Sequence, residues 1–180
     1  MTRDEAWAIV AEWTPSEALR KHALAVEATM RALARRFGGD EEQWGLAGLL
    51  HDADYESYPE RHPQATVERL RAAGEDELAD AVAAHYTKWG RPYETLMPKA
   101  LVAADELTGF IVACSLVNPE GIAGVAVASV LKKLKQKGFA AKVDRDEVRA
   151  GAELLGLDLA ELAALAIDAL RENREALGLK

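Results

Sequence analysis

An all-α, single-domain fold is what this sequence predicts, and three observations carry it. Alanine, leucine, glutamate and arginine dominate while runs of β-branched residues are rare, so helix is favoured throughout. No stretch alternates apolar and polar residues with the period of a strand. Proline, glycine and capping residues instead punctuate the chain into about eight helices. With 180 residues, 49% of them hydrophobic, the chain can bury one sizeable core.

A short helix is expected over about 3–12. Thr14-Pro15-Ser16-Glu17 carries the chemistry of a helix start, and Leu19, Ala23, Val26, Met30, Leu33 and Phe37 then recur as one apolar stripe. Gly38-Gly39 end that helix, and a third runs from Asp40 to about Asp52. Residues 54–61 read as a loop. His62-Pro63 opens a helix that Gly74 closes, and the next runs from Glu75 to about Trp89, broken by Gly90-Arg91-Pro92. A long helix over about 95–117 meets the turn Asn118-Pro119-Glu120-Gly121, and another follows as far as Gly138. Asp144-Arg-Asp-Glu147 and Asp158-Leu-Ala-Glu161 resemble capping boxes with aspartate as the cap, and Gly178 ends the last helix. The domain spans 1–180, with a core of about 14–117 and a C-terminal helical extension of about 118–180.

The net charge of −8 argues against a nonspecific binder of nucleic acid or of anionic membrane, both of which want a basic surface. No aromatic platform with interleaved basic residues suits single-stranded nucleic acid. The single cysteine, Cys114, lies in an apolar stretch and reads as a buried thiol in a reducing compartment. Met-Thr-Arg-Asp-Glu at the start lacks a signal-peptide pattern, and no apolar run approaches the roughly 20 residues that span a bilayer, so a cytoplasmic protein is expected. Trp7, Trp13 and Trp89 fit either the core or an interface.

The dipeptide His51-Asp52 closes the apolar run Trp44-Gly-Leu-Ala-Gly-Leu-Leu50. An imidazole and a carboxylate there are costly to desolvate unless something satisfies them, and a divalent metal suits both. His22 borders the stripe of its helix. His85 shares a face with Leu78 and Val82. Asp105 lies four residues after Leu101, beside an apolar face. Each alone is explained by an internal hydrogen bond or ion pair. Together they are inward-leaning polar groups from four helices, which is how a helical bundle builds a metal site. His62, before Pro63, is either a helix cap or loop residue, or part of the rim of that site.

This pattern resembles the H…HD…D signature of the HD-domain metal-dependent phosphohydrolase superfamily, carried by Leu-Arg-Lys-His22-Ala, Ala-Gly-Leu-Leu-His51-Asp52, Ala-Ala-His85 and Ala-Ala-Asp105-Glu-Leu-Thr-Gly over about residues 14–117. The resemblance implies that His22, His51, Asp52 and Asp105 ligate one divalent ion, with Asp52 able to bridge to a second. It also implies that His62 and His85 serve that second metal or contact phosphate. The pair is followed by Ala53-Asp54-Tyr55-Glu56 and no Gly-Tyr-Pro motif occurs, which argues against cyclic-di-GMP as substrate.

Such a ligand set leaves positions for water and substrate. It suits one or two ions of Mn, Fe, Co, Ni, Zn or Mg. The implied reaction is attack of water on phosphorus in a small phosphorylated, nucleotide-like substrate. Asp52 then accepts a proton from the water, and His85 donates one to the leaving group or binds phosphate. Lys88 and Arg91 are candidate phosphate contacts, whereas Lys132, Lys133, Lys135, Lys137 and Lys142 read as a solvated face. The alternative function is a non-catalytic HD-fold module that binds metal or nucleotide.

Overall fold

The computed structural model describes residues 1–180, and every regular element in it is a helix. These are α1 (Arg3–Trp13), α2 (Glu17–Phe37), α3 (Glu41–Leu50), α4 (Gln64–Ala72), α5 (Asp76–His85), α6 (Leu96–Leu116), α7 (Val127–Leu134), α8 (Arg145–Leu155), α9 (Leu159–Glu172) and α10 (Arg174–Leu177). Short 3₁₀ turns cover Pro59–Arg61, Thr87–Trp89 and Gly121–Gly124. No helix is long and apolar enough to cross a membrane.

The helix α2 is the spine. Its stripe Ala23, Val26, Met30 and Leu33 is buried, while Leu19 and Phe37 are half-buried at its ends. It packs most extensively on α3, and then on α6 and α9. The helix α8 lies along α6, and α7 packs on α9, so the C-terminal helices share one continuous core with the N-terminal ones. Glu27, buried on α2, accepts hydrogen bonds from Arg3 on α1 at 2.7 and 2.9 Å and from Arg31 at 3.1 and 3.2 Å. Arg31 reaches on to Glu42 at the start of α3. One buried carboxylate thereby ties three helices together, paired on both sides as a buried charge must be.

Several element ends differ from the sequence expectation, each for a local reason. The cap of α2 is Ser16, whose hydroxyl accepts from the Leu19 N–H, while the Thr14 hydroxyl donates to the Ala53 carbonyl and anchors the loop after α3. Asp144 and Asp158 do cap α8 and α9. Neither forms a reciprocal box, because Glu147 accepts from the Thr87 hydroxyl and Glu161 pairs with Arg36. The helix expected to reach Trp89 stops at His85, where Tyr86 takes ψ +87° and a 3₁₀ turn follows. The helix expected to reach Gly138 stops at Leu134. The Arg145 guanidinium takes up the carbonyls of Gln136, Phe139, Ala140 and Val143, so this segment needs no helical ladder. Ten α-helices result where about eight were expected, α10 being a single turn.

The close approach of α3 to α2 depends on Gly48. A Cβ added there would lie 2.9 Å from the backbone C and O of Val26. Gly48→Ala is therefore expected to lower stability by about 1–3 kcal/mol through overpacking, despite roughly 1 kcal/mol of gained helix propensity. Urea unfolding of the variant checks this, and an unchanged midpoint contradicts it.

Candidate metal centre

The four histidines meet. His22 projects from the second turn of α2, His51 is the C-cap of α3, Asp52 begins the turn after it, His85 is the last residue of α5, and Asp105 stands midway along α6. His62 follows the Pro59–Arg61 turn. Adjacent rings in the series His22, His51, His85, His62 lie 5.3–5.4 Å apart, all edge to face.

Their contacts form two clusters that share Asp52. In the first, His22 Nε2 is 3.0 Å from Asp105 Oδ1, and His51 Nε2 is 3.4 Å from Asp105 Oδ1 and 3.5 Å from Asp52 Oδ2. In the second, His62 Nε2 and His85 Nε2 lie 3.4 and 3.5 Å from Asp52 Oδ1. Donor atoms of His22, His51 and Asp52, and separately of Asp52, His62 and His85, all fall within 4.8 Å of one another.

The imidazoles are aimed by their far nitrogens. His51 Nδ1 lies 2.7 Å from the Gly48 carbonyl and His85 Nδ1 2.5 Å from the Val82 carbonyl, each a last-turn carbonyl that the helix leaves unpaired. His62 Nδ1 lies 2.7 Å from Asp54 Oδ1. A hydrogen bond at Nδ1 leaves Nε2 as the ligating atom, the usual arrangement behind a metal site. His51 Nε2 is buried and makes no hydrogen bond. It sits between two carboxylates at distances too long for a good hydrogen bond. Two ligands each about 2.0–2.2 Å from one ion lie roughly 3.0–3.5 Å from each other, so the spacing fits a shared divalent cation. Imidazoles with carboxylates are also the donor set such an ion takes, and the residues present therefore fit the metal.

Electrostatics agree. Burial works against a charged His51, but Asp52 and Asp105 outweigh it and push this imidazole up to about 10. Burial would raise Asp52, yet His51 and His85 hold it down at about 2. Asp105 is likewise held well below the usual carboxylate range, by His51 and His22 against burial. In the metal-free chain a proton on His51 thus supplies the positive charge that two carboxylates demand.

The other expected contacts fall outside the cluster. Arg91 stacks 5.9 Å from the Trp89 ring and lines a separate surface cavity of about 340 Å³ with Trp44, Glu77 and Asp80, to which no residue of the histidine cluster contributes. Lys88 is exposed, its Nζ 5.4 Å from the ring of Tyr86, which stands 5.5 Å from His62. Glu56 accepts from the Ser16 N–H at the start of α2 and is held there. His62 is not the N-cap of α4, a place that Pro63 takes; its side chain is almost fully buried in the second cluster.

Sequence reasoning missed Asp54 and the tyrosines beside His62. Asp54 is fully buried, and its other oxygen accepts from the Thr66 N–H at 2.9 Å. Tyr55 is 52% exposed with its ring 5.3 Å from His62. The one sequence signal for Asp54 and Tyr55 was their nearness to the His-Asp pair, in a loop whose path no periodicity foretells, and for Tyr86 its place directly after His85.

Because the folded His51 stands above its ordinary value of 6.5, the stability it contributes is complete below about pH 6.5 and is lost as pH rises through about 10. Chelator-treated protein should therefore show a Tm that falls over this range. Uptake of a divalent ion near pH 7 should release protons, because the ligating imidazole must be neutral. Calorimetry in a pH series and in buffers of different ionisation enthalpy reads both effects; a flat Tm with no proton release contradicts them.

No curated protein and no solved structure matches this chain. A family model described as HD domain matches residues 19–109, about half of the chain, and that span contains His22, His51, Asp52, His62, His85 and Asp105. On that match, the chain belongs to the HD domain family.

Proposed function

We propose that this chain is a metal-dependent hydrolase of a small phosphate ester, nucleotide-like in chemistry. The observation that carries the reading is the pair of ligand clusters joined at Asp52 in a chain of the HD domain family, whose members are typically metal-dependent phosphohydrolases. In this reading His22, His51, Asp52 and Asp105 hold one divalent ion, and Asp52, His62 and His85 hold a second. Bound there, the metal supplies acidity to water and positive charge to the phosphoryl oxygens.

The protein's own groups do the rest. Asp52 is about a quarter exposed, open enough to meet a water. Held down at about 2, its carboxylate orients that water and takes its proton only in passing to solvent. His85 has its Nδ1 committed to Val82, so a bare Nε2 suits ligation better than proton donation. Lys88 brings a flexible cation to the His62 end, where the phosphate of an anionic substrate would be drawn. Tyr55 and Tyr86 flank the same end, and faces of this kind stack on a nucleobase. Cys114, pushed up to about 11 by burial, takes no part and suits a reducing, cytoplasmic setting.

The test is a phosphoester panel run on protein loaded in turn with Mn, Fe, Co, Ni, Zn and Mg. Turnover of at least one ester is expected, and Asp52→Ala should cost more than about a hundredfold in kcat/KM, since residues that merely orient ligands are worth 10–100-fold. Ligand-induced thermal shifts without any product would favour the non-catalytic binding module instead.

A second measurement addresses the substrate. Tyr55→Ala and Tyr86→Ala should each weaken selection of nucleotides over aliphatic sugar phosphates by about 1–3 kcal/mol, with sugar phosphate turnover unchanged. Equal losses on both substrate classes would remove the stacking role.

A further inference from the structure

We infer that Asp54 is a positioning residue that fixes the tautomer of His62 and thereby makes the second cluster able to hold an ion. The inference rests on the two-cluster reading above. Asp54 is fully buried, and each of its oxygens has one distinct partner: Oδ1 lies 2.7 Å from His62 Nδ1, and Oδ2 accepts from the Thr66 N–H at 2.9 Å. A carboxylate has no proton to give, so the hydrogen of this contact belongs to His62 Nδ1. Nε2 is then bare, 3.4 Å from Asp52 Oδ1, as a ligand must be.

A purely structural role explains only half of this geometry. The helix α4 has no side-chain cap of its own, and Asp54 Oδ2 supplies one from the preceding loop. A neutral amide oxygen would serve as well there. The second oxygen is explained by His62 alone. His51 and His85 close α-helices and find a last-turn carbonyl for Nδ1. His62 follows a 3₁₀ turn, has no such carbonyl bonded to it, and takes a carboxylate instead. A carboxylate partner also makes the imidazole a stronger ligand than a carbonyl does.

Asp54→Asn separates the two roles. The asparagine carbonyl can keep the Thr66 bond, which turns its NH₂ toward His62 Nδ1. The ring must then accept at Nδ1 and carry its hydrogen at Nε2, aimed at Asp52. Long-range ¹H–¹⁵N NMR of the metal-free chain at about pH 8 reads the tautomer directly. Nδ1–H is expected at His62 of the natural sequence, and Nε2–H in Asp54→Asn. Calorimetric titration with Zn²⁺ should give two sites for the natural sequence, with the weaker one lost or weakened 10–100-fold in the variant and the other unchanged. An Nε2–H tautomer in the natural sequence overturns the inference without need of any variant. So does a variant that binds both ions unaltered. If the natural sequence takes up a single ion, the two-cluster reading fails, and the NMR comparison still decides whether Asp54 sets the tautomer.

Discussion

Two carboxylates and four imidazoles crowd into one small volume, and that crowding is the constraint on which the rest of the structure depends. Asp52 and Asp105 lie within 3.5 Å of His51 Nε2, a buried nitrogen with no hydrogen bond. The charges there cannot all be balanced by one another. A proton on His51 and a metal each supply positive charge there, and the two compete for one place. The helices that deliver these groups pack on one another, α2 on α3 and α6 and α5 on α3 and α6, and an ångström of slippage between them would separate the ligands.

Small residues make that locking possible. Gly48 lets α3 lie against the α2 backbone and also offers its carbonyl to His51, so the contact that packs the helices aims the ligand. Gly151 does the same for α8 against α6: a Cβ there would fall 2.5 Å from the Ala103 Cα, two residues before Asp105. Packing and ligand placement are here one geometric condition, which is why the helix lengths matter less than where the helices touch.

That distinction explains what the sequence made legible. The helical class followed from composition and punctuation. His22, His51, Asp52, His85 and Asp105 could be picked out because each is a polar residue on an apolar face, a cost that only a partner relieves. Asp54 could not. It sits in a loop of polar and aromatic residues where a buried carboxylate and a solvated one look alike, and its partner His62 is brought back by a turn rather than by a repeat. Arg91, close to His85 along the chain, lines a separate cavity beyond the 3₁₀ turn at Thr87–Trp89. Where one element governs direction, spacing is informative; where a turn intervenes, it is not.

The helices beyond the matched span also hold the chain beside the site. The Thr87 hydroxyl, two residues past His85, donates to Glu147 at 2.6 Å, and the Asp144 N–H donates to Glu106, next to Asp105, at 3.0 Å. The start of α8 thus braces the chain beside a residue of each cluster. Burial and the neighbouring Asp105 push the Glu106 carboxyl up to about 7, against the pull of that N–H. The brace therefore lies within the electrostatic reach of Asp105. The C-terminal segment is accordingly tied to the chain beside both clusters by two hydrogen bonds and by the packing of α8 along α6, rather than being a passive cover over a finished fold.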